Sequence, residues 1–337
     1  MSSQPLDQRG RPVRDLRLSV TDKCNFRCIY CMPREAFGPN HAFLARSEIL
    51  TYEELVRLVS VFAELGVSKV RLTGGEPLLR KDLETLVSMV AATPGITDIA
   101  LTTNGSLLAT RAASLRAAGL DRVTVSLDSI DSAMFAAMAD TRLALTSVLE
   151  GIQAAAEVGL SPVKLNAVVR RGRNDDGIVE LAQFARAHGH VLRFIEYMDV
   201  GDTNKWVLDD VVPSAEVIAR ISAVFPVEAM PATRRGEVAK RWRYVDGSGE
   251  IGVISSVTQP FCTDCTRARV TSTGELFTCL FGSGTLDLRA MMRGGAADNE
   301  LREAVATVWS DRRDRYSEAM RGNGTSGRRA EMSYLGG

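Results

Sequence analysis

The six cysteines of this sequence fall into two sets of three that lie far apart along the chain. The sets are Cys24, Cys28 and Cys31, spaced C-x3-C-x2-C, and Cys262, Cys265 and Cys279, spaced C-x2-C-x13-C. In a chain without a secretion signal, cysteines at short spacing bind metals more often than they form disulfides. The spacing therefore predicts two metal centres, each with three thiolate ligands.

Three thiolates are one too few for a structural zinc ion, which takes four protein ligands. The only histidines are His41, His188 and His190, and none lies near the first set. A [4Fe–4S] cluster held by three cysteines leaves one iron without a protein ligand, where chemistry can take place. The alternatives are a zinc ion completed by a remote ligand, especially at the second set, and cysteines that are merely buried.

Basic residues form a second group of candidate functional side chains. Arg267 and Arg269 follow Cys265, and side chains two residues apart on a strand point the same way, so both are expected beside the second centre. Further cations fall at the ends or inner faces of the predicted strands given below: Arg17, Lys69, Arg71, Lys164 and Arg193. We expect no matching set of carboxylates on these strands, and an inward charge is costly without a partner. The cations therefore predict an anionic substrate, and a triphosphate fits well.

Glycines mark two further segments. Gly74-Gly75-Glu76-Pro77 follows a predicted strand, and its glycines allow the backbone to approach a ligand closely. Its carboxylate could pair with an ammonium group, although the segment taken alone is typical of a turn. The chain closes with Gly336-Gly337, which by itself is typical of a frayed tail.

An alternation of short strands and helices must position these residues. Strands are predicted at residues 16–21, 67–73, 98–103, 122–127, 163–169 and 192–196. The first helix begins at the capping box Thr51-Tyr52-Glu53-Glu54. Further helices are predicted near residues 83–92, 107–118, 146–158 and 178–187. Six strand-then-helix units indicate a parallel sheet, arranged either as an open barrel or as a doubly wound sheet.

The pattern changes after Glu196. A helix near residues 214–224 precedes β-like runs at 250–257, 267–271 and 276–278 around the second cysteine set, and helices follow at 286–292 and 299–312. We therefore divide the chain into residues 1–200, the core, residues 201–320, a cluster- and substrate-binding extension, and residues 321–337, a tail with little regular structure.

Composition excludes several classes of protein. The 337 residues carry 41 Lys and Arg against 41 Asp and Glu, so the formal net charge is zero. This balance disfavours a dedicated nucleic-acid binder and a polybasic membrane-surface protein. The sequence contains no apolar run of transmembrane length and no apolar signal segment, which favours a cytoplasmic location.

The first cysteine motif, with Tyr30 before its last cysteine, resembles the signature of the radical S-adenosylmethionine (SAM) superfamily. In that superfamily the open iron chelates SAM, and an electron from the cluster splits SAM into methionine and a 5′-deoxyadenosyl radical. GGEP resembles the superfamily's methionine-binding motif. The resemblance implies that SAM contacts Tyr30, Gly75, Ser126 and Met198.

Longer segments extend the resemblance to the GTP 3′,8-cyclase family, also called molybdenum cofactor biosynthesis protein A. The segments are LTGGEPLLRKDL, LTTNG, VSLDSID, RFIEYMDVG, GEVAKRWRY and FCTDCTRARVTSTGELFTCLF. This implies an α/β fold, a partial (open) TIM-like (β/α)6 barrel with a C-terminal α+β extension that carries a second [4Fe–4S] cluster. The implied GTP contacts are Arg17, Arg71, Thr102, Lys164, Arg267, Ala268 and Arg269.

The family resemblance also implies the reaction and its partners. The radical abstracts hydrogen from ribose C3′, and the carbon radical closes onto C8 of guanine, whose base binds the open iron of the second cluster. Arg267 and Arg269 could also help to deliver the later proton or electron. A low-potential electron donor supplies the cluster, and a cyclic pyranopterin monophosphate synthase consumes the product. The Gly-Gly tail reaches into the active site.

Other functions stay open on the residues alone. One is a radical SAM maturase that uses its second cluster on a peptide, and another is a non-catalytic zinc- or cluster-binding redox sensor. The oligomeric state is also open, with a homodimer as one alternative.

Overall fold

One twelve-stranded sheet organises the fold. The computed structural model describes residues 4–259, 261–315 and 330–336. In chain order the strands are β1 (Asp15–Ser19), β2 (Lys69–Thr73), β3 (Asp98–Thr103), β4 (Arg122–Ser126), β5 (Lys164–Val169), β6 (Val191–Glu196), β7 (Val227–Met230), β8 (Lys240–Tyr244), β9 (Glu250–Ile254), β10 (Arg267–Val270), β11 (Glu275–Phe277) and β12 (Leu286–Asp287). Their order across the sheet is β12-β11-β10-β1-β2-β3-β4-β5-β6-β9-β8-β7.

The helices follow the strands in the expected alternation. They are α1 (Tyr52–Glu64), α2 (Leu83–Ala91), α3 (Leu108–Ala117), α4 (Ser132–Ala139), α5 (Leu145–Glu157), α6 (Ile178–Ala187), α7 (Ser214–Ser222), α8 (Leu288–Arg293), α9 (Asp298–Ser310) and α10 (Met332–Leu335). Thr51 caps α1, and its hydroxyl and the Glu54 carboxylate form the predicted capping box. The six predicted strands of the core agree with β1 to β6 to within two residues at each end.

Strands from the C-terminal part extend the core sheet at both edges. β10 pairs in parallel with β1, and β9 pairs in parallel with β6, so eight neighbouring strands run the same way. The antiparallel strands β11 and β12 continue one edge, and β8 and β7 continue the other. Within the described residues no ladder joins β12 to β7, and the sheet stays open as predicted.

Alternation along the strands separates a packed outer face from a polar inner face. On β1, Leu16 and Leu18 are fully buried against the helices, whereas Asp15 and Arg17 lie on the opposite face. The same alternation on β2 buries Val70 and Leu72 and turns Lys69 and Arg71 inward. The barrel interior is therefore a charged space, and the hydrophobic core lies between sheet and helices.

Several elements differ from the sequence-based prediction. The pattern did not indicate α4, β7 or β8. Residues 286 and 287 form β12 rather than the start of a helix, because Leu286 pairs with Leu276 and Asp287 caps α8. In the tail, α10 is a helical turn where little regular structure was expected; residues 321–329 and 337 of that prediction lie outside the described residues.

A buried carboxylate joins the core to the extension. Glu196, at the end of β6, accepts hydrogen bonds from the Ser214 amide and hydroxyl at the start of α7. Its other oxygen accepts from the amides of Val257 and Thr258, in the segment after β9. One side chain thus fixes two connections of the C-terminal part. Among the described residues, no helix is long and apolar enough to cross a membrane.

Candidate active site

The first cysteine set lies in the loop that follows β1. The Cys31 amide donates to the Cys28 carbonyl, and the Cys24 sulfur accepts from the Phe26 amide. Helix α4 supports the loop from outside: its carbonyls at Met138 and Ala139 accept amides of the loop, and Phe135 packs edge-on against Phe26. The helix that the sequence did not indicate is therefore the platform for the loop.

All three thiols of this loop resist ionisation in the protein alone. Burial raises the pKa of Cys24 to about 11, and burial likewise raises the pKa values of Cys28 and Cys31. Metal ligation needs thiolates, so iron must displace three protons here. The loop offers three sulfur donors, as a cluster with one open iron requires.

The GGEP segment packs directly on the cysteine loop. A Cβ atom at Gly75 would lie 2.3 Å from the Lys23 carbonyl oxygen, so this position excludes every side chain. The Glu76 carboxylate is buried and accepts from the Thr103 hydroxyl and the amides of Asn104 and Leu78. Protein donors contact both oxygens, so Glu76 ties the end of β2 to the end of β3. Pairing of this carboxylate with an ammonium group stays a prediction.

The residues expected to contact SAM lie at the same end of the sheet. The Tyr30 hydroxyl donates to the Asp128 carboxylate at 2.9 Å, and the Val168 amide holds the other oxygen of Asp128 at 2.8 Å. Ser126 ends β4, two residues before Asp128. Met198 follows β6 and lines the interior cavity described next.

A cavity of about 400 Å³ occupies the barrel interior. Its lining includes the cations Arg17, Lys69, Arg71, Arg122, Lys164, Arg193, Arg234, Arg267 and Arg269, together with Thr102. Register explains the concentration of charge: Arg17 on β1 pairs with Arg269 on β10 and with Arg71 on β2, so three arginines stand side by side. Ala268 points the other way, into the hydrophobic core, and only its backbone can face the cavity.

Crowding of like charge perturbs these cations. Burial, then Arg269, Arg267 and Arg71, lower the pKa of Arg17 well below its usual range. Burial lowers the pKa of Arg71 to about 10. Burial, followed by the nearby charge of Arg193, lowers the pKa of Lys164 to about 7. Within the described residues, Arg71 donates only to the hydroxyls of Thr102 and Thr124. An anion in the cavity would relieve this repulsion.

The expectation that these strands carry no matching set of carboxylates was wrong at one end of the cavity. Asp98 on β3 pairs with Lys69 at 3.4 Å and also with Arg122, and Asp15 on β1 lies 3.9 Å from Lys69. Asp15 and Asp98 are the first residues of their strands. The alternation of buried and exposed residues does not show which way the side chain of a terminal strand residue points. The cations deeper along the strands, Arg17 and Arg71, have no such ion pair within the described residues.

The second cysteine set lines a smaller cavity next to the first one. Cys262 and Cys265 flank a short turn before β10, and Cys279 follows β11. Although burial opposes it, Arg267 and Arg312 lower the pKa of Cys265 to about 6. The two cavities share the lining residues Met198, Phe261, Arg267, Arg269 and Leu280.

Buried donors around this smaller cavity fit an anionic occupant with several acceptor atoms. Arg11 Nη2, Arg267 Nε and Arg269 Nε are buried and have no acceptor among the residues that the structure describes. A cluster with three thiolate ligands carries such acceptors in its sulfurs. No three His, Cys, Asp or Glu side chains of the described chain converge as ligands of a single metal ion.

The tail reaches the interior as the resemblance implied, so far as it is described. Glu331 accepts from the Asp202 amide at 3.0 Å and the Thr203 hydroxyl at 2.8 Å. Met332 lines the main cavity, and a Cβ atom at Gly336 would lie 2.1 Å from Thr73 Cγ2. Gly337 lies outside the described residues.

Sequence reasoning missed several residues that hold the site. Asp128, which holds Tyr30, lies within VSLDSID, and an acidic residue just beyond a strand was the available signal. Arg11 and Arg312 contact the second cysteine set but lie 251 and 47 residues from their cysteine partners, Cys262 and Cys265, and no local pattern links them.

Comparisons with known proteins agree with this geometry. Residues 18–185 match the Radical SAM superfamily, and residues 190–318 match Molybdenum Cofactor Synthesis C. The chain is 55% identical to a GTP 3′,8-cyclase of Acidothermus cellulolyticus, over 99% of this chain and 100% of the relative. It is 48% identical to a GTP 3′,8-cyclase of Xanthomonas axonopodis pv. citri over the whole of both chains.

A solved structure supports the fold. Streptococcus suis SuiB bound to S-adenosylmethionine superposes with a TM-score of 0.54 at 14% identity, over 95% of this chain and 68% of that one. At this identity the likeness concerns the fold alone, whereas the curated relatives match the chain from end to end. The chain belongs to the GTP 3′,8-cyclase family of radical SAM enzymes.

Proposed function

We propose that the chain converts GTP to (8S)-3′,8-cyclo-7,8-dihydroguanosine 5′-triphosphate, the first step of molybdenum cofactor biosynthesis. One observation carries the proposal: an interior cavity lined by clustered cations adjoins a three-thiol site with which it shares Arg267 and Arg269. Strands β1 and β2, which contribute Arg17 and Arg71, also lead into the first cysteine loop and GGEP. Full-length relatives with this name support the same reaction.

The N-terminal site binds SAM in this proposal. Cys24, Cys28 and Cys31 hold a [4Fe–4S] cluster, which together with bound SAM supplies a 5′-deoxyadenosyl radical. The backbone at Gly75, packed against the Lys23 carbonyl, contacts the methionine part, and Tyr30, whose hydroxyl Asp128 holds, contacts the cofactor. Ser126 and Met198 complete the SAM contacts.

The cavity binds GTP. Arg17, Arg71 and Lys164 neutralise the triphosphate, which replaces the missing counter-charge between them. Thr102, already an acceptor for Arg71, lies beside them. Cys262, Cys265 and Cys279 would hold the second [4Fe–4S] cluster, which would bind the guanine base. Arg267, Ala268 and Arg269 contact GTP there.

The division of the chain follows from these roles. Residues 1–200 form the SAM-binding core, residues 201–320 the cluster- and GTP-binding extension, and residues 321–337 the C-terminal tail that ends in Gly-Gly. A low-potential electron donor reduces the first cluster, and a cyclic pyranopterin monophosphate synthase takes the product. Thiolate-ligated clusters suit a reducing compartment, so we place the enzyme in the cytoplasm. A homodimer is one alternative for its oligomeric state.

The test is anaerobic incubation of the reconstituted protein with SAM, dithionite and GTP. We expect 5′-deoxyadenosine and the cyclic triphosphate to accumulate together, and Cys28→Ala to lose both. Arg269→Ala should lose the cyclic product but keep some SAM cleavage, because it lies beside GTP and not at the first loop. Deoxyadenosine formation by Cys28→Ala, or no GTP-derived product from wild type, would contradict the proposal.

A further inference from the structure

The N-terminal segment reaches the second cysteine site through a buried charge network. The Asp7 carboxylate accepts from Arg11 Nε at 2.6 Å and lies 3.3 Å from Arg312 Nη1. All three side chains are at most 1% exposed. Charges so deeply buried are costly unless they are paired and hydrogen-bonded, as Asp7, Arg11 and Arg312 are here.

The network holds the backbone of the cysteine segment. Arg11 Nη1 donates to the Cys262 carbonyl at 2.5 Å, and Arg312 Nη1 donates to the Cys265 carbonyl at 2.7 Å. Asp314 extends it, since its carboxylate accepts from Arg312 Nε and from the hydroxyl of Thr278, the residue before Cys279. The backbone at Cys262 and Cys265, and the residue before Cys279, are therefore held by residues of the N-terminal segment and of the segment that follows α9.

One donor of Arg11 has no partner in the part of the chain that the structure describes. Its Nε and Nη1 are satisfied by Asp7, Cys262 and Asp314, whereas Nη2 is buried and has no acceptor there. Arg11 lines the cavity that the three second-set thiols enclose. A buried unpaired guanidinium nitrogen costs free energy unless the occupant of that cavity accepts its hydrogen bond.

We propose that Arg11 Nη2 donates a hydrogen bond to a sulfur of the second iron–sulfur cluster and thereby raises its reduction potential. The inference rests on the proposed function only in requiring a cluster at this site. Reduction adds one electron to the [4Fe–4S]²⁺ form and makes the sulfurs better acceptors. A cationic donor therefore stabilises the reduced form more than the oxidised form.

Arg11 acts as a positioning and tuning residue, distinct from the arginines that face GTP. It precedes both matched family regions, which begin at residues 18 and 190. Asp7 and Arg312 orient its guanidinium group, so loss of its charge would leave the cysteine loop partly in place through Arg312 and Asp314.

The test uses the full chain with the first cysteine set replaced by alanine, so that only the second cluster forms on reconstitution. In this background we compare Arg11 with Arg11→Gln and Arg11→Lys. Arg14→Gln is the matched control, because Arg14 is exposed on the same segment. Iron per chain and the midpoint potential, from a dithionite titration followed by electron paramagnetic resonance, are measured for each.

We expect Arg11→Gln to retain iron and to disfavour reduction about tenfold, which is about 59 mV for a one-electron couple. Arg11→Lys should lie between it and the parent, and Arg14→Gln should match the parent. A parental potential in Arg11→Gln overturns the proposal. If Arg11→Gln loses its iron, a parental potential in iron-replete Arg11→Lys overturns it, and a lowered one supports it. Absence of iron from the parent itself would instead contradict the second cluster.

Discussion

At the scale of single residues, the arrangement of the cavity arginines favours binding of an anionic ligand and lowers the stability of the ligand-free protein. Arg17 stands between Arg269 and Arg71 on neighbouring strands, and burial and these neighbours destabilise its charged form. A fold selected for stability alone would not place three like charges side by side. Their proximity is explained if they share one multiply charged anion.

This arrangement predicts opposite effects of Arg17→Met on binding and on stability. Loss of a charge-assisted contact should weaken GTP binding about tenfold or more. The thermal midpoint of the GTP-free reconstituted enzyme should rise, because an apolar chain of similar length replaces an unpaired charge. Calorimetry and thermal unfolding measure the two quantities. Arg243→Met, at an exposed pair with Glu228, is the control and should change neither.

Lys164 predicts a pH dependence of GTP binding. Its pKa is about 7 in the free protein, so at pH 8 the Lys164 amine is neutral in most molecules. A bound triphosphate raises that pKa, and binding at pH 8 should therefore take up protons. Below about pH 6 the amine is already charged and uptake should vanish. Calorimetry in two buffers of different ionisation enthalpy measures the protons.

The variant Lys164→Met should reduce the proton uptake at pH 8, whereas Lys81→Met should not, since the Lys81 side chain is 91% exposed. Binding heats that are the same in both buffers at pH 8 would contradict the role given to Lys164.

The functional residues were predictable from sequence where they lie close together along the chain. Three cysteines within eight positions, and Arg267 and Arg269 on one strand face, could be interpreted without the fold. The role of Glu76 could not be predicted from sequence, because its partners Thr103 and Asn104 lie at the end of the next strand. Arg11 gave no signal, since its function depends on a contact 251 residues away.

At the scale of elements, parallel register turns sequence patterns into a site. The six core strands were predictable because β-branched runs alternate with amphipathic helices and glycines end those helices. The strands that extend the sheet were not predictable, because β9 and β10 join opposite edges by long-range pairing. Helix α4 was missed because it is short and apolar on most sides.

The tail element predicts a variant that folds but works poorly. Gly336 has a φ of +68° and no room for a Cβ beside Thr73, so Gly336→Ala should displace the tail from the cavity. We expect turnover to fall at least about tenfold with an unchanged thermal midpoint. Steady-state kinetics and thermal unfolding measure both.

Gly295→Ala provides a matched control, because Gly295 also has a positive φ, of +91°, but meets no atom within 4 Å. It should keep full turnover. A chain truncated after Leu335 that also kept full turnover would show that the Gly-Gly end has no part in catalysis.

At the scale of the whole molecule, a few buried charged groups connect the N-terminal core with the extension. Glu196 holds α7 and the segment after β9, and Asp7 holds Arg11 of the N-terminal segment and Arg312 of the segment after α9. Both clusters can therefore keep a fixed relation to one cavity. A radical reaction between two sites requires such rigidity, because reacting atoms must stay within contact distance.

This connection predicts a large cost for Glu196→Gln. The new amide group would face the Val257 and Thr258 amides and leave these half-buried donors without an acceptor. We expect the free energy of unfolding to fall by about 2–4 kcal/mol in urea denaturation. Glu180→Gln, on the exposed face of α6, should change it little. Equal stability of the two variants would contradict the assigned role of Glu196.

The central claim is that one cavity brings ribose C3′ of GTP to the SAM site. The most direct measurement uses GTP deuterated at C3′ with the reconstituted enzyme, SAM and dithionite, and analyses the mass of the 5′-deoxyadenosine formed. The account predicts deoxyadenosine that carries the deuterium, together with a cyclic product that has lost it. Unlabelled deoxyadenosine beside GTP that keeps its deuterium would contradict the account.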